Sequence, residues 1–277
     1  MPVLFLHPNV DLSQGGFTVH LSTVIGLLAL LALYEWRALV HRRRAPAQRP
    51  TALQRAGFVS GLAILFLSLN GPLHDISDFY LFSGHMVQHL VLTFIVPPLL
   101  LAGTPGFMFL DPLRHRPVAA IARVITRPMA AFTIFNVVLA AWHLPPLYNS
   151  AMYYHGIHIT QHLMFLVAAV IVWWPLLSPL PELPRLSYPG QMLYSFLMTL
   201  PMTVISILIV YSDHILYPAY ASAWRLWGLS PLEDQRLGGL IMWIPGGLFF
   251  YGLTTVIFFK WTASARDDRA GAQVGAA

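Results

Sequence analysis

The pattern His-x-x-Gln-His occurs twice, as His85-Met86-Val87-Gln88-His89 and as His158-Ile159-Thr160-Gln161-His162, and each copy opens a long apolar run. On a helix, positions i, i+3 and i+4 share one face, so each copy presents two imidazoles and an amide together. Imidazole ligates copper, zinc and iron. Two histidines one turn apart can clasp an ion, and a third from a neighbouring helix would complete a three-coordinate site. The glutamines Gln88 and Gln161 are spaced to hydrogen-bond an imidazole and fix its tautomer. Polar groups are costly where a helix meets lipid, so two such clusters in apolar helices point inside a bundle.

Other chemistry is scarce. The chain has no cysteine, which excludes disulfides, thiolate metal sites, iron–sulfur clusters and cysteine nucleophiles. No His-Glu-x-x-His, Gly-x-Ser-x-Gly or phosphate-binding glycine loop is present, so the residues predict a protein that is not an enzyme. Hydrophobic residues make up 57% of the 277 and charged residues 10%, the balance of a membrane protein and not of a soluble domain.

The elements that must position the histidines are apolar stretches of spanning length, about 20 residues. Seven are read, near 18–40, 53–71, 80–102, 128–146, 156–178, 191–212 and 236–260. The expected fold is an all-α integral membrane protein, a seven-transmembrane-helix bundle. Residues 1–17 form an outer N-terminal segment without the basic stretch and cleavage site of a signal peptide, 18–260 the membrane domain, and 261–277 a disordered cytoplasmic tail. Pro97-Pro98, Pro201 and Pro245 predict kinks. Arginines crowd the loops after spans 1 and 3, with Arg185 and Lys260 after spans 5 and 7; only Arg225 and Arg236 fall on the other side. The positive-inside rule places the N-terminus outside and the C-terminus in the cytoplasm. The basic balance is then topological, with the lipid bilayer as partner and no nucleic acid.

In that topology spans 3 and 5 enter from the outer face, and span 4 returns Trp142-His143 to the same level. Five histidines, His85, His89, His143, His158 and His162, are therefore expected at one height as metal ligands, with His89 and His162 first. Asp75, Asp78, Asp234, Met86 and Met242 lie on the same side as accessory groups, and thioethers suit Cu(I). Asp234 is also placed to cap span 7. His74, His155 and His214 read as loop residues. Tyr80, Trp142, Tyr148, Tyr153, Tyr154, Tyr211, Tyr217, Trp224 and Trp227 read mostly as an interfacial aromatic belt. Two alternatives use the same residues: axial ligation of a haem by His89, His143 or His162, and a metal-free scaffold or transporter whose histidines pack helices or relay protons.

Taken together, Gly71-Pro72-Leu73 with Asp75, Tyr80-Leu81-Phe82-Ser83-Gly84-His85-Met86-Val87-Gln88-His89 and Pro97-Pro98-Leu99 resemble the CtaG family of cytochrome c oxidase assembly factors. Trp142-His143-Leu144-Pro145, Gln161-His162, Trp173-Trp174-Pro175, Asp234-Gln235 and the run Gly238 to Gly247 carry the same resemblance, over roughly residues 20 to 260. It implies a multi-pass protein of the bacterial plasma membrane that helps assemble a haem–copper oxidase. Copper supply to an oxidase subunit is the usual proposal, which would make copper the cargo, with zinc or haem as alternatives, and put the site on the periplasmic side. The missing cysteine separates the chain from the single-span assembly factor of the same name, whose copper site is built on Cys.

Overall fold

The structure, a computed structural model, describes residues 17–45 and 48–274, with side chains as far as Arg266. Most of the expected outer segment, including His7, and the last three residues lie outside the described residues. All regular structure among the described residues is helical. Helix α1 spans Leu21–Arg44 and ends in Arg42, Arg43 and Arg44, cations that suit the negative end of a helix. Helix α2, Ala52–Ser68, starts in a capping box: Gln54 N–H donates to Thr51 Oγ1 and Thr51 N–H donates to Gln54 Oε1.

At Asn70-Gly71-Pro72 the chain turns through 44° into the short helix α3, Pro72–Phe79. Gly71 sits at φ 69° and ψ −156°, a conformation open essentially to glycine alone. Next comes one long apolar helix, Phe82–Gly103, made of α4 (Phe82–Leu90), a π-helical turn (Val91–Ile95) and α5 (Val96–Gly103). The π turn follows from the proline pair. The Thr93 carbonyl would normally receive the N–H of residue 97, or of 98 in a π turn, and neither proline has one. Trp173 supplies the missing donor, its Nε1–H reaching Thr93 O at 2.7 Å.

The remaining helices are α6 (Phe107–Leu113), α7 (Arg116–Ile125), α8 (Pro128–His143), α9 (Pro145–Tyr153), α10 (His155–Leu177), α11 (Tyr188–Val210) and α12 (Pro231–Val274). Five helices are long and apolar enough to cross a membrane, and the bent pairs α2–α3 and α7–α8, the latter at 76°, raise the number to seven if each counts as one span. The seven expected stretches thus fall on helices, while the number of candidate spans among the described residues is five to seven. Helix α12 also runs to Val274, where a disordered tail was expected from residue 261; Thr262 to Ala270 contains no glycine or proline, and its alanines favour helix.

Large apolar side chains such as Leu53, Leu163, Leu208 and Leu248 face outward, while polar groups including His85, Gln88, Gln161 and Asp234 are buried. That inversion suits a lipid-facing exterior. The aromatic belt needs correction: Trp142, Tyr148 and Tyr217 are core residues, whereas Tyr211, Trp224 and Trp227 are exposed. Tyr148 and Tyr217 pack against Phe82 at ring distances of 5.5 and 4.4 Å, gathering α4, α9 and the α11–α12 connection.

Candidate metal centre

Helix α4 owes its placement to α12. The Asp234 carboxylate accepts the Phe82 and Ser83 amides at 2.7 and 3.1 Å and the Ser83 hydroxyl at 2.5 Å. The expectation that Asp234 caps its own helix is thereby corrected: it caps the neighbour, satisfying N–H groups that no intrahelical carbonyl can reach. His85 follows within the first turn. From α10, His158 and His162 meet it, and ligand nitrogens of His85, His158 and His162 lie within 4.8 Å of one another. Ring centroids are 5.6 Å apart for His85–His158, 5.8 Å for His85–His162 and 4.3 Å for His158–His162. Three nitrogens sharing a trigonal ion would stand about 3.5 Å apart, given metal–nitrogen bonds of about 2.0–2.1 Å. Modest side-chain rotation closes that gap. Neither nitrogen of His85 has a hydrogen-bond partner among the described residues, and Nε2 of His162 has none either.

Asp78 stands behind the triad. One of its carboxylate oxygens lies 3.4 Å from His158 Nδ1 and 3.4 Å from His74 Nε2. A carboxylate at Nδ1 turns Nε2 of His158 toward a ligand position and makes the ring a stronger donor. Asp75 is elsewhere, accepting the Thr18 hydroxyl at 2.5 Å.

The five histidines therefore divide. His85, His158 and His162 form the triad, while His89 continues inward, its centroid 6.2 Å from His143 and 4.4 Å from Phe165. His143 is the C-terminal residue of α8, and its carbonyl accepts the Tyr217 hydroxyl at 2.9 Å. Tyr220 donates to Ser77 O at 2.7 Å, tying α3 to the same connection. Burial pushes both phenols well above their ordinary range, so they remain protonated donors.

The two glutamines differ. Gln88 Nε2 donates to Ser68 O at 2.6 Å and lies 3.2 Å from His74 Nδ1, and its Oε1 accepts the Ser77 hydroxyl at 3.0 Å. It orients His74 and not a triad member. Gln161 is buried with neither amide atom hydrogen-bonded among the described residues. Met86 is fully buried beside Gly238 of α12, a packing position. Met242 lines a cavity with His89 and His143.

Two histidines read as peripheral belong to the assembly. His74 is buried on α3, with its ring 6.2 Å from His158 and 4.6 Å from His20. His155 in turn lies 6.3 Å from His20. A cavity of about 360 Å³ is lined by His20, His74, His155, His158 and His162, with aliphatic walls from α1, α2 and α10. The sequence signal for His74 was its i, i+4 spacing to Asp78, which places both on one face of α3. His214 stays exposed in the α11–α12 connection.

A family profile described as cytochrome c oxidase caa3 assembly factor matches residues 32–264. An uncharacterized protein of Mycobacterium bovis is 27% identical over 205 residues, which is 68% of this chain and 31% of its own length. One from Mycobacterium tuberculosis gives the same figures. One from Mycobacterium leprae is 25% identical over 279 residues, 91% of this chain and 42% of its own length. The chain thus spans less than half the length of these curated relatives. No solved structure matches.

Proposed function

This chain belongs to the cytochrome c oxidase caa3 assembly factor family, and from that premise we propose that it binds copper at His85, His158 and His162 and supplies it to an oxidase subunit during assembly. The convergence of three ligand nitrogens within 4.8 Å, from two helices, carries the reading. Neutral imidazoles suit copper, and the cysteine-free sequence leaves few competing donors. Three-coordinate binding keeps a position free for an incoming ligand, so the ion can be passed on by exchange. The 360 Å³ cavity beside His158 and His162 supplies the approach. The arginine distribution supports placing this end of the bundle at the periplasmic face. The protein acts here as a carrier and not as an enzyme.

At His89 and His143 an ion is favoured over haem by the room available. Between His89 and His143 the cavity is about 20 Å³, whereas sites for organic ligands run to about 300–1,000 Å³. The test is elemental analysis and an optical spectrum of purified protein, wild type against the double variant His158→Ala, His162→Ala. Copper should be present in the first and reduced in the second, and oxidase from cells carrying the variant should be copper-deficient. Equal metal content in both proteins would remove the triad as the site.

A further inference from the structure

We propose that the bundle contains a second, deeper metal site that takes Cu(I) through His89, His143 and the thioethers of Met198, Met202 and Met242. It goes beyond the triad reading and stands on its own residues. All five side chains line one cavity of about 20 Å³. That is room for a single water-sized occupant and nothing larger.

The histidines point to what the occupant is. Nδ1 of His143 lies 2.7 Å from the Leu139 carbonyl oxygen. A carbonyl oxygen only accepts, so Nδ1 carries the proton and Nε2 presents its lone pair. That Nε2 is buried with no hydrogen-bond partner among the described residues, as are both nitrogens of His89. His89 and His143 are 5% and 6% exposed, so water does not serve them readily. Buried polar atoms are almost always satisfied, and an orphaned set around one small cavity calls for a bound partner. A backbone carbonyl holding the remote nitrogen of an imidazole is also how proteins orient metal-ligating histidine.

The methionines then select the ion. A methionine in a core is usually a flexible filler, but filler does not satisfy imidazoles. Met198 and Met202 are one turn apart on α11 and Met242 comes from α12. Asn136 Nδ2 donates to Met198 Sδ at 3.8 Å, orienting that thioether. Met202 lies against α12 where Gly246 leaves room: its Sδ and Cε are 3.0 and 2.7 Å from where a Cβ would stand. No carboxylate lines the cavity. Neutral, soft thioether and imidazole donors in an apolar surround select a monovalent soft cation, Cu(I), over Zn²⁺ or hard divalent ions. The ring of His89 is 4.2 Å from His85 and 5.6 Å from His162, so Cu(I) can move between triad and cavity by exchanging one imidazole for another, with no change of oxidation state. Met198 and Met202 carried a signal in the sequence, the i, i+4 pair Met198-Thr199-Leu200-Pro201-Met202, which is indistinguishable from core packing without the facing histidines.

The experiment is anaerobic titration of the purified protein with Cu(I) against a competing chelator, followed by X-ray absorption at the copper edge. Wild type should bind about two Cu(I), with a sulfur shell at about 2.3 Å, the distance typical of metal–sulfur bonds. The volume-conserving variant Met198→Leu, Met202→Leu, Met242→Leu should lose one equivalent and the sulfur shell while keeping the other. The His158→Ala, His162→Ala protein should keep the sulfur shell and lose the triad equivalent. Wild type with no sulfur shell overturns the proposal, even if the triple variant fails to fold. A triple-leucine protein that folds and keeps both equivalents also overturns it. One equivalent with a sulfur shell in wild type supports the deep site and removes the triad instead.

Discussion

Asp234 of α12 holds Ser83 of α4 by two bonds, accepting its hydroxyl at 2.5 Å and its amide at 3.1 Å. The last helix of the bundle thus carries the anion that closes the N-terminus of the helix bearing His85, and charge and hydrogen bonding both favour that position. Asp234→Ala should destabilise the protein by about 1.5–3 kcal/mol, the range for hydrogen bonds to a charged partner. It should also lower metal content by letting α4 shift. Asp234→Asn should recover part of the loss. Thermal unfolding in detergent measures the first effect, and an unchanged midpoint would refute the role.

Asp78 touches His158 and His74 but lies behind the triad. Asp78→Asn should weaken copper binding by roughly 10–100-fold, as is usual when the partner behind a ligating histidine is lost. Chelator competition gives the number. Complete loss of binding would mean that Asp78 is itself a ligand.

The two glutamines should behave oppositely although their motifs are identical. Gln88→Leu removes the donor that serves Ser68 O at 2.6 Å, while the Ser77 hydroxyl keeps the His74 carbonyl at 2.8 Å, and should cost about 1–3 kcal/mol. Gln161→Leu removes a buried amide that has no hydrogen-bond partner among the described residues and should leave the melting temperature unchanged or raise it. A matching loss in both variants would contradict the structure.

Close packing of α2 on α5 depends on Gly103. A Cβ there would stand 2.4 Å from the Phe58 backbone nitrogen and 2.8 Å from Gln54 O, atoms that cannot move without the helix. Gly103→Ala should therefore separate the pair, at a cost of about 1–3 kcal/mol or more. Gly252→Ala, with nothing within 4 Å, serves as a control and should gain up to about 1 kcal/mol of helix propensity. Denaturation midpoints of the two variants should move in opposite directions.

Much was legible in the sequence because it rests on local periodicity. Apolar runs of spanning length announced the helices, Pro97-Pro98 announced a local distortion, and His-x-x-Gln-His placed two imidazoles on one face of each helix. The family resemblance rested on those same motifs. What local spacing could not supply was rotation about the helix axis. Residues i and i+4 differ by about 40° on a helix of 3.6 residues per turn. That small divergence lets His85 turn to His158 and His162, while His89, one turn on, shares a cavity with His143 and three methionines. Which helix lies across from each face is decided by packing over the whole bundle. Hence Asp234 serves α4 and not its own helix, and His74 is drawn inward by a bend at Gly71. The residues alone specified the polar groups; tertiary structure decided which of them come together.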